Sequence, residues 1–227
     1  MSLGEACVPG RGAKYRHSRW RRPQMTTCGV ALVVVAIMGG CGGNSDPKVL
    51  TTENVVARAA KVPPTTPGWN WPEMATSSSP YSKDEGTNPS SASDPLAAKL
   101  YRQLRGLDRI GSAGSRWEAA RLAHLVVEQW RSVRDAHLAM PAYRQFAHGW
   151  AEKTGAVTDE DVRGLGDEAW RVTAKGSSAE ATYKWRRKNL VFEAHIQCYP
   201  ESCPSDVDEA TRAWADAIDN EATAERG

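Results

Sequence analysis

Phenylalanine is scarce: the 227 residues hold 2, against 9 tryptophans, and aromatics as a whole make up 7%. Long hydrophobic runs are missing, and the mean hydropathy is −0.54, which excludes a multi-span membrane protein. Glycine is modest at 19, and no heptad pattern persists, so collagen and coiled coil are excluded too. There is no Gly-x-Ser-x-Gly, no phosphate-binding glycine loop and no His-Glu-x-x-His. A basic surplus is also lacking in most of the chain. Residues 1–40 carry six basic side chains against Glu5, a surplus of five, so a total of +2 leaves −3 on the remaining 187. That balance gives no support for nucleic-acid binding.

What is present begins with an address. Arg16-His17-Ser18-Arg19-Trp20-Arg21-Arg22 precedes the apolar run Val30–Met38 and the small residues Gly39-Gly40. A positive region, a short apolar region and a small-residue cleavage point make a secretory signal over 1–40. Nine apolar residues span about 14 Å as a helix, well short of bilayer hydrocarbon. Met25 is an alternative start, but it would remove every charge before the apolar run. Arg21-Arg22 hints at twin-arginine export, although Pro23-Gln24 departs from that motif. Met38-Gly39-Gly40-Cys41 resembles the bacterial lipobox, which implies that Cys41 becomes the acylated N-terminus. The lipid anchor then places the protein on the extracytoplasmic face of the cell membrane, and several acyl chains give stable attachment.

From 41 to 94 the composition reads as a flexible tether. Of the 33 residues between Pro63 and Pro95, 20 are Pro, Ser, Thr or Gly, too few apolar groups to offset the ordering entropy. Asn54–Ala60 allows a short helix within it. Trp69 and Trp71 are read as docking on the domain's own surface in preference to a ligand or the cell wall.

The folded domain is expected over 95–223 as an α+β unit, an antiparallel sheet packed against helices. Asp94-Pro95 opens a helix whose stripe is Leu96, Leu100, Leu104 and Leu107, ending near Gly111. Arg116–Ala136 reads equally as helix or strand. Pro141 opens a second helix, which Gly155 stops. Glu168–Val172 alternates as a strand, and Tyr183–Trp185 with Leu190–Ile196 forms a hairpin around Arg187-Lys188-Asn189. A last helix starts at Ser205 with Asp208 as a capping partner. Its stripe of Val207, Ala210, Trp214 and Ile218 is expected to lie across the hairpin.

The string Gly164-Leu165-Gly166-Asp167-Glu168-Ala169-Trp170, the hairpin ending Lys188-Asn189-Leu190-Val191 and the Trp/Ala-rich terminal helix resemble a class of actinobacterial lipoproteins and extracytoplasmic sensor domains. Several of these have a PsbP-like α/β sandwich. The resemblance spans about 120–222 and implies a strand over Arg121–Ser132 and a helix over Pro141–Lys153. The class has a glycine where this chain has Lys188. It implies a fold and leaves the activity open.

Five cysteines remain to be assigned. Cys7 and Cys28 lie in the signal and Cys41 takes lipid, leaving Cys198 and Cys203 as an even pair in an exported protein, hence a disulfide. Their spacing is not that of a redox motif, and two further zinc ligands are absent, so neither metal nor cofactor is expected. His124, His137, His148 and His195 are scattered, with His195 expected to face outward or beside the helix. Asp159-Glu160-Asp161 and Asp167-Glu168 read as solvated turns, and Lys184, Arg186, Arg187 and Lys188 as a solvated hairpin tip. No catalytic signature emerges. The expected function is a non-catalytic, lipid-anchored binding or sensing module whose partner is an envelope protein or small ligand. A scaffold for a membrane or secretion complex, or an envelope hydrolase, are the alternatives.

Overall fold

The computed structural model describes residues 53–64, 68–72, 74–83, 94–119, 121–203 and 206–224. The signal segment and Cys41 lie outside the described residues. Seven strands run antiparallel throughout: β1 (Ser77–Lys83), β2 (Arg109–Glu118), β3 (Arg121–Trp130), β4 (Gly155–Asp161), β5 (Glu168–Gly176), β6 (Ala179–Arg187) and β7 (Leu190–Cys198). Their order across the sheet is β1-β2-β3-β7-β6-β5-β4. The last strand in the chain therefore sits at the centre, joining a β1–β2–β3 half to a β4–β5–β6 half. Four helices complete the fold: α1 (Glu53–Ala59), α2 (Pro95–Leu104), α3 (Val133–Ala151) and α4 (Val207–Thr223). This is an α+β fold.

Period two in the strands assigns the sheet two buried faces. Ala113, Trp117, Leu125, Val127, Trp185, Phe192 and Ile196 point to one, where α4 and α1 supply Val207, Trp214, Ile218, Val56 and Ala59. Trp185 stacks on Phe192 at 5.1 Å between centroids, and Trp117 meets Trp214 edge-on at 5.6 Å. Trp130, Trp170, Val172 and Val191 point to the other face, under Ala136, Met140 and Tyr143 of α3. The Leu100, Leu104 and Leu107 stripe of α2 packs on that second core, while Leu96 lies close against Gly149 of α3.

Several expectations are corrected. The 41–94 segment is not a tether throughout: Val56 and Ala59 of α1 are fully buried, Trp69 is in the same core, and β1 pairs with β2. The Pro/Ser/Thr count missed this because a handful of apolar side chains suffices to cover one end of a sheet face. Trp69 and Trp71 do dock on the domain, stacked at 5.8 Å with Arg121 over the Trp69 ring. The first helix of the domain ends at Leu104, where Gly106 turns the chain with a positive φ, and Arg109 already begins β2. Arg116–Ala136 resolves into the ends of two strands and the first turn of α3, with strand over Arg121–Trp130. Pro141 does not open a helix; it lies inside α3, which Ser132 caps by accepting from the Asp135 amide. Helix interiors tolerate proline poorly, and here only the His137 carbonyl loses its donor, on an exposed side. Ser205 is outside the described residues. The terminal helix is capped by Asp206, and the Asp208 carboxylate instead accepts from Tyr183 and Arg171.

At the β6–β7 turn, Lys188 adopts φ +54, the left-handed region where glycine is cheapest and a lysine is strained. Asp167 compensates: its carboxylate accepts from the Lys188 amide at 2.6 Å. Gly166 is required next to it, because a Cβ there would stand 2.5 Å from the Arg186 carbonyl. A disulfide joins Cys198 to Cys203, with Cα atoms 5.7 Å apart, closing the link between β7 and α4.

Candidate functional site

The register places polar side chains in rows across the α3 face of the sheet. Arg116 of β2 lies opposite His124 of β3, His124 opposite His195 of β7, and His195 opposite Thr182 of β6. One row along, Glu193 lies opposite Lys184; on the other side, Gln197 lies opposite Glu180. Helix α3 covers part of this surface and stops short of β2. What remains is a groove of about 350 Å³ whose floor is these strands and whose wall is Phe146, Ala147 and Trp150. Phe146 and Trp150 stack at 6.4 Å, and the indole is 46% exposed. A second hollow of about 370 Å³ shares Arg116 and His124 and continues over Ser112 to Ser77, Ser79 and Ser82 of β1.

Beneath the groove the charges are internally matched. Lys184, whose side chain is 3% exposed, donates to Glu193 at 2.8 Å and lies 3.5 Å from the centroid of Tyr143. The Tyr143 hydroxyl donates to Glu128, which also takes Arg109 at 2.5 Å. Burial pushes the Tyr143 phenol well up, and neighbouring Glu128 adds to it. Burial also pushes the Glu193 carboxyl up, but Lys184 and the two imidazoles outweigh it and hold it at about 2. Burial drives His195 down to about 4, and lowers His124 as well, against the pull of Glu193. Both imidazoles are therefore neutral near pH 7. His195 Nδ1 shares a hydrogen bond of 2.9 Å with Thr182 Oγ1. Glu180 is 3% exposed; burial raises its carboxyl against a hydrogen bond from Thr154, and its Oε2 has no partner among the described residues. Arg116 at the rim pairs with Glu118 at 3.0 Å.

Of the residues the sequence singled out, the structure brings His124 and His195 together and leaves His137 and His148 elsewhere. His137 pairs with Glu168 at 2.6 Å and His148 with Asp159 at 3.1 Å. The acidic runs are not free turns. Asp159 and Asp161 belong to β4 and hold Arg144, Glu160 holds Arg171, and Asp167 and Glu168 hold Arg186. Nor is the basic run a solvated tip: Lys184 is buried, and Arg187 pairs with Asp219 at 2.5 Å. Glu180, Thr182, Glu193 and Trp150 were missed as a group. Among the described residues, no set of three or more His, Cys, Asp or Glu is placed to hold a metal ion. No described helix is long and apolar enough to cross a membrane.

No protein-family model matches the sequence, and no curated protein matches it. Among solved structures the chain is similar to the extracellular domain of PknH from Mycobacterium tuberculosis. The identity is 13% and the TM-score 0.38, over 60% of this chain and 72% of that one.

Proposed function

We propose that this protein is a lipid-anchored, extracytoplasmic binding module of the actinobacterial lipoprotein and sensor class, which takes a ligand in the α3 groove and does no chemistry on it. The lipobox-like Met38–Cys41 and its preceding signal support the anchor. The single observation that carries the binding role is the groove with its converging polar side chains and aromatic wall, the arrangement that fixes small ligands.

A convergent polar cluster also favours the hydrolase alternative. The protonation states of two of its members weigh against it. A general base works best with a pKa near the operating pH, and Glu193 at about 2 and His195 at about 4 are both too weak. The scaffold reading asks for a contiguous exposed apolar patch. The large exposed apolar residues among those described are Met74, Leu138, Trp150 and Tyr199, spread over three separate parts of the chain.

Two measurements on the full chain test the proposal. Cys41→Ser should leave the membrane fraction or remain unprocessed; normal processing with unchanged membrane retention refutes the anchor. Histidine ring NMR signals of the detergent-solubilised protein should shift at His124 and His195 on adding a low-mass envelope extract, and silence at both refutes the binding site.

A further inference from the structure

Resting on the groove being a binding site, we infer that its ligand is a neutral oligosaccharide, held with a sugar-ring face on the Phe146–Trp150 shelf and its hydroxyls on the row of uncharged side chains opposite. Three features of the groove point to this chemistry.

The first is the division of labour between wall and floor. A pyranose presents C–H groups on its faces and hydroxyls around its edge. The half-exposed indole of Trp150 stacks on Phe146, and the exposed Lys153 ammonium lies 4.5 Å from its centroid, so a sugar ring stacking there displaces that flexible cation to put its C–H groups on a face of negative quadrupole. The floor offers donors and acceptors at side-chain spacing. Among the described residues, Nε2 of His124 and of His195 make no hydrogen bond, and the buried Oε2 of Glu180 has no partner. A group that can give or accept a proton, such as a sugar hydroxyl, satisfies either tautomer of a neutral imidazole.

The second is charge. Lys184 is matched by Glu193 and Arg116 by Glu118; the one groove carboxyl with no ion pair among the described residues is Glu180, whose charged form burial disfavours, so the groove offers no unpaired cation to select an anion. An anion would have to displace Glu118 and approach Glu193; a cation would meet Lys184 and Arg116. The third is extent and backbone. The hollow continues past Arg116 and His124 onto the hydroxyls of Ser112 and of the β1 serines, giving room for more than one ring in a row. The floor strands β2, β3, β7 and β6 are interior strands, paired on both sides. No free edge is available there to extend a peptide by strand addition.

The test uses the full chain in detergent micelles, titrated with maltotriose, cellotriose and triacetylchitotriose, with a hexuronate trisaccharide and laurate as comparators. Readouts are His124 and His195 ring shifts and the part of the acrylamide quenching that Trp150→Ala removes, the chain having 9 tryptophans. The inference expects at least one neutral trisaccharide to shift both histidines and shield Trp150. Trp150→Ala should weaken that binding by about tenfold without changing the thermal midpoint, since the side chain is half-exposed. The substitution His195→Gln, which keeps a hydrogen-bonding group, should weaken it less. Binding of the hexuronate alone, or equal binding by Trp150→Ala, overturns the inference. Shifts with laurate or with an envelope extract but with no saccharide overturn the inference and leave the groove reading standing. Silence to saccharides and extract alike overturns both.

Discussion

The Lys184–Glu193 pair supports the sharpest stability prediction. Lys184 is 3% exposed at its side chain and Glu193 26%, with 2.8 Å between the charged atoms. At an effective dielectric near 20 the gross attraction is about 6 kcal/mol, and desolvation of the two ions consumes much of it. What survives can be worked from the carboxyl. Glu193 is held at about 2 against an ordinary 4.5. At about 1.4 kcal/mol per unit, this is roughly 3 kcal/mol favouring the folded state. Because the folded value is depressed, that stability is present above pH 4.5 and is lost as pH falls toward 2. Lys184→Met leaves the Glu193 carboxylate in the groove floor without its counter-charge and should cost about 3–5 kcal/mol at pH 7. Adding Glu193→Gln should return more than half of the loss, because an uncharged pair needs no compensation. Urea unfolding followed by tryptophan fluorescence measures both, and the gap between wild type and Lys184→Met should narrow to less than half at pH 3. A loss below about 1 kcal/mol with no recovery in the double variant would refute the reasoning: the pair would then be behaving as a surface ion pair.

Three further outcomes follow from other parts of the fold. Replacing Cys198 and Cys203 together by serine should lower stability by about 2 kcal/mol with the fold retained, and two free thiols on alkylation of freshly exported protein would contradict the bond itself. Trp69→Ala should cost about 3 kcal/mol, because the ring is buried in the main core under Arg121; a loss within experimental error in urea would mean that the segment before β1 does not dock. His195 is lowered to about 4 from 6.5, so the unfolded chain binds the extra proton between those values. Stability should accordingly fall as pH drops from 6.5 to 4, by about 3 kcal/mol, and His195→Gln should flatten that slope in a series of urea titrations.

The C-terminal third of the chain was legible because its periodicities are clean. Tyr183 and Trp185, then Leu190, Phe192, Ala194 and Ile196, and then the stripe of Val207, Trp214 and Ile218 all meet on one face of the sheet. Strand β2 was hidden because its inward positions alternate with glycine and serine. Gly114 is there for closeness, since a Cβ would stand 2.8 Å from the Leu125 carbonyl; apolar periodicity carries no trace of that need. The groove was hidden for a different reason. His124 faces His195 only because β3 pairs with β7, and no local pattern links two residues so far apart in the chain. Lys184 and Glu193 stand at outward-looking positions of a hairpin, which reads as a solvated face until α3 is known to cover it.

The central place of β7 has a consequence for how such a chain is made. Until Leu190–Cys198 is available, β3 and β6 each present an open edge, and neither half of the sheet has its partner. Loop closure between distant segments must come before either half gains its full pairing, so the nascent chain has little to fold around until nearly all of it exists. Under the export proposed above, that is an advantage: a secretion channel passes unfolded polypeptide, and a sheet that waits for its last strand stays threadable while most of the chain passes. The corresponding liability is truncation: loss of the final 40 residues or so would remove the keystone and leave two exposed strand edges prone to intermolecular pairing.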